Sequence, residues 1–253
     1  MNSPCRSRAA LLDPVYLYAT LAAMLVGLSK TGVPGIGILQ VPLMAFVVGD
    51  AKDSVGVLLP ILMIADLFAI YFYQKYTNWK KIIHLAPWIL AGIAVGSLAL
   101  IKTDKSIFGP VLGGIVLFMA LFELLKNRLN ATSLVHHPTL RTGVGIATGF
   151  STTVGNAAGP IMNLYLLSHK VTKQEFLGVT CWLFFLINLV KLPIFIGLDM
   201  VRPDTLKFNL FMIPGIAIGA LVGRWILPRI SNTWFNHFVM VFSILSAIKL
   251  IIS

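Results

Sequence analysis

The sequence predicts an all-α polytopic membrane protein made of two homologous repeats, and three observations predict it. Of 253 residues, 57% are hydrophobic and only 11% charged, where a soluble domain carries about a quarter charged. Apolar runs of roughly 17–23 residues recur along the chain, the length a helix needs to cross about 30 Å of hydrocarbon. A polar, glycine-rich interruption near the start has a second copy mid-chain.

The opening, "MNSPCRSRAALLDPVYLYATLAAML", is basic and then apolar, as a signal peptide is. Asp13 before Pro14 reads instead as an N-cap followed by proline in the first helical turn, so a retained helix is expected. It forms a short segment, Val15–Leu28, that runs into "GLSKTGVPGIG". Here Lys30, Ser29, Thr31, Pro34 and four glycines interrupt the apolar run. A second short segment, Ile36–Val48, follows. At 1.5 Å rise per residue it spans only about 20 Å, so both short segments are candidate half-helices. Three full-length spans, Val55–Phe72, Leu85–Ile101 and Ile107–Leu125, complete the first half.

"KNRLNATSLVHHPTLR", Lys126–Arg141, is the most polar loop and the natural join. The first repeat is placed at 11–129, a linker at 130–135 and the second repeat at 136–253, within one membrane domain. The second half reads alike: short segments Thr142–Phe150 and Ala157–Ser168 around "GFSTTVGNAAGP", then spans Phe176–Leu198, Phe208–Leu227 and Trp234–Ile252. Gly149 lies 122 residues after Gly27, and at that offset Ser29 meets Ser151, Lys30 meets Thr152, Thr31 meets Thr153, Gly37 meets Gly159 and Asp66 meets Asn188. "DAKD" from Asp50 and "TKQE" from Thr172 each place a cap three residues before an acid. After a five-residue slip "PWILAGIAVG" from Pro87 aligns with "PGIAIGALVG" from Pro214. Their pairs Gly92/Gly96 and Gly219/Gly223 read as helix-packing motifs. An even number of crossings per half makes the repeats parallel, an odd number inverts them; loop charge favours neither.

The net charge of +11 fits basic cytoplasmic loops. The basic residues sit singly between spans, which argues against nucleic acid. Cys5 and Cys181 do not suggest a disulfide. All five histidines lie at span edges or in the linker, so neither a metal site nor a histidine-based catalytic pair is expected. "GLSKTG" lacks the glycines of a P-loop and of a nucleophile elbow. Nothing suggests an enzyme or a cofactor.

Irregular backbone at membrane depth requires surrounding protein or a water-filled cavity. The N-terminus of a half-helix offers free N–H groups and positive dipole, which favour an anion. The candidate substrate-binding residues are therefore Ser29, Lys30, Thr31, Gly35 and Gly37, with Ser151, Thr152, Thr153, Asn156 and Gly159 from the second copy. Helix packing is the competing explanation for any single small residue among them. Asp66, its counterpart Asn188, and Lys191 form a candidate coupling or charge network, since ionisable groups inside spans are costly. Protons are a candidate coupling ion, and a structural ion pair is the competing role. Glu123, Lys126 and Lys249 read as interface anchors.

The break after a short first helix, "GIGILQVPL" within Gly27–Met44, and the duplication in about 250 residues resemble the TauE/SafE family of sulfite and organosulfonate exporters. The resemblance covers the whole chain through hydropathy and duplication. Many members carry a glycine triplet where this chain has Gly35-Ile36-Gly37, and the second copy departs to Asn156-Ala157-Ala158-Gly159. The resemblance implies a multi-pass transporter of small sulfur-containing anions, often exporting, in a prokaryotic plasma membrane. A passive anion channel and a carrier of another small anion are the alternatives. The substrate, the direction of transport and the oligomeric state stay open.

Overall fold

A computed structural model describes residues 14–32, 37–125, 138–169, 171–226 and 248. The expected linker at 130–135, Gly35 and, residue 248 apart, the expected last span, Trp234–Ile252, lie outside the described residues. Among the described residues the regular structure is helical throughout. α1 is Pro14–Thr31, α2 Gly37–Val48, α3 Ala51–Tyr73, α4 Trp79–Lys102, α5 Lys105–Leu125, α6 Pro138–Gly155, α7 Gly159–Ser168, α8 Lys173–Gly197 and α9 Pro203–Ile226. A 3-10 turn, Gln74–Tyr76, extends α3.

The starts of the long helices follow from their caps. Asp50 accepts the Asp53 backbone N–H at 2.8 Å, and Thr172 Oγ1 accepts that of Glu175 at 3.2 Å, each satisfying a donor the helix leaves orphaned. Among the described residues four stretches, Ala51–Tyr76, Trp79–Lys102, Lys173–Gly197 and Pro203–Ile226, are long and apolar enough to cross a bilayer. Their polarity is arranged for lipid. Leu67, Ile83, Leu98, Phe118, Leu210, Phe211 and Trp225 are exposed, whereas Asp66, Lys191, Asn188, Asn156 and Asn163 are buried. Apolar area this extensive on a surface marks contact with another apolar phase.

Three helix pairs build the body: α1 on α9, α4 on α6, and α3 on α8. Glycines allow the first two to approach backbone to backbone. A Cβ on Gly27 would strike the backbone of Ile216 and Ala220, and one on Gly219 the backbone of Met24. The other pair repeats these contacts. A Cβ on Gly149 would strike Ile89 and Ile93, and one on Gly92 would strike Ile146. Both G-x-x-x-G motifs therefore sit in close helix crossings, where small residues are required. The third pair is also close: a Cβ on Gly178 of α8 would meet the Tyr73 carbonyl of α3, and one on Gly56 of α3 the Met200 carbonyl just past the end of α8.

Candidate functional site

The two breaks fall between α1 and α2 and between α6 and α7. Both preceding helices run further than the sequence suggests. α1 continues through Ser29, Lys30 and Thr31, and α6 through Ser151, Thr152 and Thr153. Hydroxyls bonded back to the preceding turn are compatible with this continuation. Thr31 Oγ1 donates to the Gly27 carbonyl at 3.0 Å, and Thr153 Oγ1 to the Gly149 carbonyl at 2.7 Å. Thr31 Oγ1 also lies 2.7 Å from the Ala220 carbonyl.

α6 ends where Asn156 adopts φ +50°, a left-handed conformation that asparagine tolerates better than most residues. The Asn156 N–H bonds the Thr152 carbonyl at 3.0 Å and the Ala157 N–H bonds the Ser151 carbonyl at 3.3 Å, which caps the helix. α7 then starts at Gly159 with Pro160 next, a residue suited to a first helical turn.

A cavity of about 80 Å³ opens between the two breaks, room for a few waters or one small oxyanion. Ser29, Lys30 and Gly37 line it from the first break, and Thr152, Asn156 and Gly159 from the second. At Gly37 a Cβ would lie 3.7 Å from Gln40 Nε2 and 3.9 Å from Ser29 Oγ. The start of α2, a serine and an amide thus meet at one point. At Gly159 a Cβ would meet nothing within 4 Å, so the start of α7 faces open space. Thr31, Ser151 and Thr153 are buried but do not line the cavity.

The charged residues form one connected cluster beside this cavity. Lys30 Nζ lies 2.7 Å from Asp66 Oδ1, a buried ion pair. Lys30 also sits over the Phe184 ring, 4.6 Å from its centroid. Asn188 bridges the two sides: its Nδ2 donates to Asp66 Oδ2 at 3.3 Å, and its Oδ1 accepts from Lys191 Nζ at 3.4 Å. Lys191 Nζ donates to the Thr152 carbonyl and to Asn156 Oδ1, both at 2.6 Å, and reaches Thr152 Oγ1 at 3.3 Å. Its ammonium therefore caps the C-terminus of α6, the end that favours positive charge. Asp66 and Lys191 are 0% exposed, whereas the Lys30 side chain keeps 14% exposure and reaches the cavity.

Sequence reasoning did not single out Gln40, Asn163, Thr180, Cys181 and Phe184, which also line the cavity. The Gln40 amide is 4% exposed and its Oε1 has no partner. A signal for part of this wall exists in α8: Cys181, Phe184, Asn188 and Lys191 recur at spacings of three and four, which puts them on one helix face. Among the described residues no cluster of histidine, cysteine and carboxylate side chains could hold a metal ion.

The family model described as "Sulfite exporter TauE/SafE" matches residues 19–250 of the chain. No curated protein and no solved structure matches it.

Proposed function

Since the chain belongs to the TauE/SafE sulfite exporter family, we propose that it is a secondary transporter exporting one small sulfur-containing anion, sulfite or a short organosulfonate, through this cavity. The observation that carries the reading is the meeting of both helix breaks at one polar space into which Lys30 reaches. Free N–H groups at the starts of α2 and α7, the Ser29 and Thr152 hydroxyls and the Lys30 ammonium supply the donors an oxyanion needs. Asp66 supplies a titratable group inside the membrane, as coupling to a proton gradient requires, while Asn188, itself bonded by Lys191, holds it in place. The expected setting is a prokaryotic plasma membrane.

We further propose that the halves, 11–129 and 136–253, are copies of one unit related by a two-fold axis. The glycine contacts support this. The contacts of Gly27, Gly56 and Gly92 with the second half are matched by those of Gly149, Gly178 and Gly219 with the first, displaced by the same sequence offsets. Asp66 also bonds Asn188, its own counterpart, as two residues straddling such an axis would.

The test is the flux of radiolabelled sulfite, sulfate and sulfoacetate in proteoliposomes, with and without a pH gradient. Sulfite or sulfoacetate accumulation driven by the pH gradient is expected. Flux indifferent to the gradient, and unchanged in Asp66→Asn, identifies a passive anion channel instead.

A further inference from the structure

The two cations of the site enter from unrelated sequence positions yet occupy matching places. Lys30 comes from the last turn of α1 and contacts Asp66. In the second half, the counterpart of Lys30 is Thr152 and that of Asp66 is Asn188. Lys191, from the C-terminal part of α8, puts its ammonium against both of these residues. It restores by another route the positive charge that Thr152 lacks. The cavity is thus flanked by two ammonium groups around a single carboxylate.

Four oxygens surround Lys191 Nζ within 3.4 Å: the Thr152 carbonyl, Thr152 Oγ1, Asn156 Oδ1 and Asn188 Oδ1. That shell suits the three N–H groups of an ammonium ion, which accepts nothing. The cluster then sums to one positive charge with Asp66 ionised. A bound monoanion brings the sum to zero. A dianion leaves one uncompensated negative charge in a buried site, which is costly. Protonating Asp66 removes it, at the cost of the Lys30–Asp66 ion pair. The same protonation frees Lys30 to turn to the substrate.

Among the described residues the groups around Asp66 are few. α1 brings Lys30, and α8 brings Asn188, Lys191 and the Cys181 thiol. α2 has no titratable residue, and Lys105 and Glu123 of α5 lie near its ends. From α9, Lys207 pairs with Asp204, and Arg224 stacks on Phe72 with its guanidinium 4.5 Å from the ring centroid. In the adjoining 3-10 turn, Lys75 sits over Tyr76.

On the reading of this cavity as an anion site, we propose that the Lys30–Asp66–Lys191 cluster admits one net negative charge. A monoanion such as a sulfonate enters with Asp66 ionised, and a compact dianion enters with one proton taken from water onto Asp66. The substrate's own charge then determines whether a proton travels with it.

Equilibrium binding of methanesulfonate, a monoanion, and sulfate, a dianion, to the purified full chain in nanodiscs from pH 5 to 9 tests this. Methanesulfonate affinity is expected to stay level. Sulfate affinity is expected to fall by about tenfold per pH unit above the titration of Asp66, the slope of a one-proton linkage. In Asp66→Asn the sulfate slope should vanish. Should that variant fail to fold, the two wild-type profiles still decide. Parallel profiles for the two anions, or methanesulfonate binding without sulfate binding at any pH, overturn the charge rule and leave the anion site standing. Binding of neither anion overturns both.

Discussion

At the residue scale, the hydroxyls of the two breaks divide by what they touch. Ser29 lines the cavity, Thr152 lines it and also reaches Lys191 Nζ, and the single Thr31 hydroxyl lies against two backbone carbonyls, one of them on another helix. Ser29→Ala should therefore lower anion flux with little change in thermal unfolding. Thr31→Val should do the reverse, costing about 1 kcal/mol of stability for the lost bonds while the folded fraction still transports. Flux and melting temperature measured on the same preparations check both halves of this contrast. The residue types at the breaks were legible in the sequence, because a lysine and several hydroxyls are out of place in an apolar run. Which hydroxyl faces the cavity was not, because one residue along a helix turns the side chain by about 100°. Gln40 escaped for a related reason: a lone amide in "GILQVPLM" carries no pattern.

At the scale of the elements, the closeness of α1 to α9 and of α4 to α6 rests on glycines. Gly219→Ala would drive a Cβ into the Met24 backbone, which cannot move without shifting the helix. Overpacking of this kind costs about 1–3 kcal/mol, and the melting temperature should drop accordingly. Gly114→Ala, on α5 with nothing within 4 Å of the added carbon, should leave it unchanged or slightly raised. Gly159→Ala also meets no atom but narrows the cavity at the start of α7. It should weaken anion binding without lowering the melting temperature. The G-x-x-x-G pairs announced these crossings in the sequence. The ends of α1 and α6 did not show: a run of small polar residues reads as a break, and only the bonds from Thr31 and Thr153 back to the preceding turn reveal that the helices continue through it.

At the scale of the whole molecule, the account depends on two halves facing one another across a shared site. If a two-fold axis relates them, Gly27→Ala and Gly149→Ala should destabilise by similar amounts, since each meets the same surface on the opposite helix. Denaturation of the two variants beside wild type measures this, and a large difference would count against the duplication. The charges need not obey the same symmetry. At an offset of 122 residues Lys30, Asp66 and Lys191 align with Thr152, Asn188 and Ala69, so on the proposed duplication the charges are one-sided. The offset was visible from the polar positions alone, but the convergence of Lys191 on Thr152 was not, because 39 residues separate them.

The central claim is that the anion sits between the starts of α2 and α7, beside Lys30. Selenite has the shape and charge of sulfite and scatters X-rays anomalously, so crystals soaked in selenite locate the anion directly. The expected result is one anomalous peak within hydrogen-bond reach of Ser29, Lys30 and Thr152, lost in crystals of Lys30→Met. A peak elsewhere in the membrane-spanning body, with this cavity empty, would contradict the account.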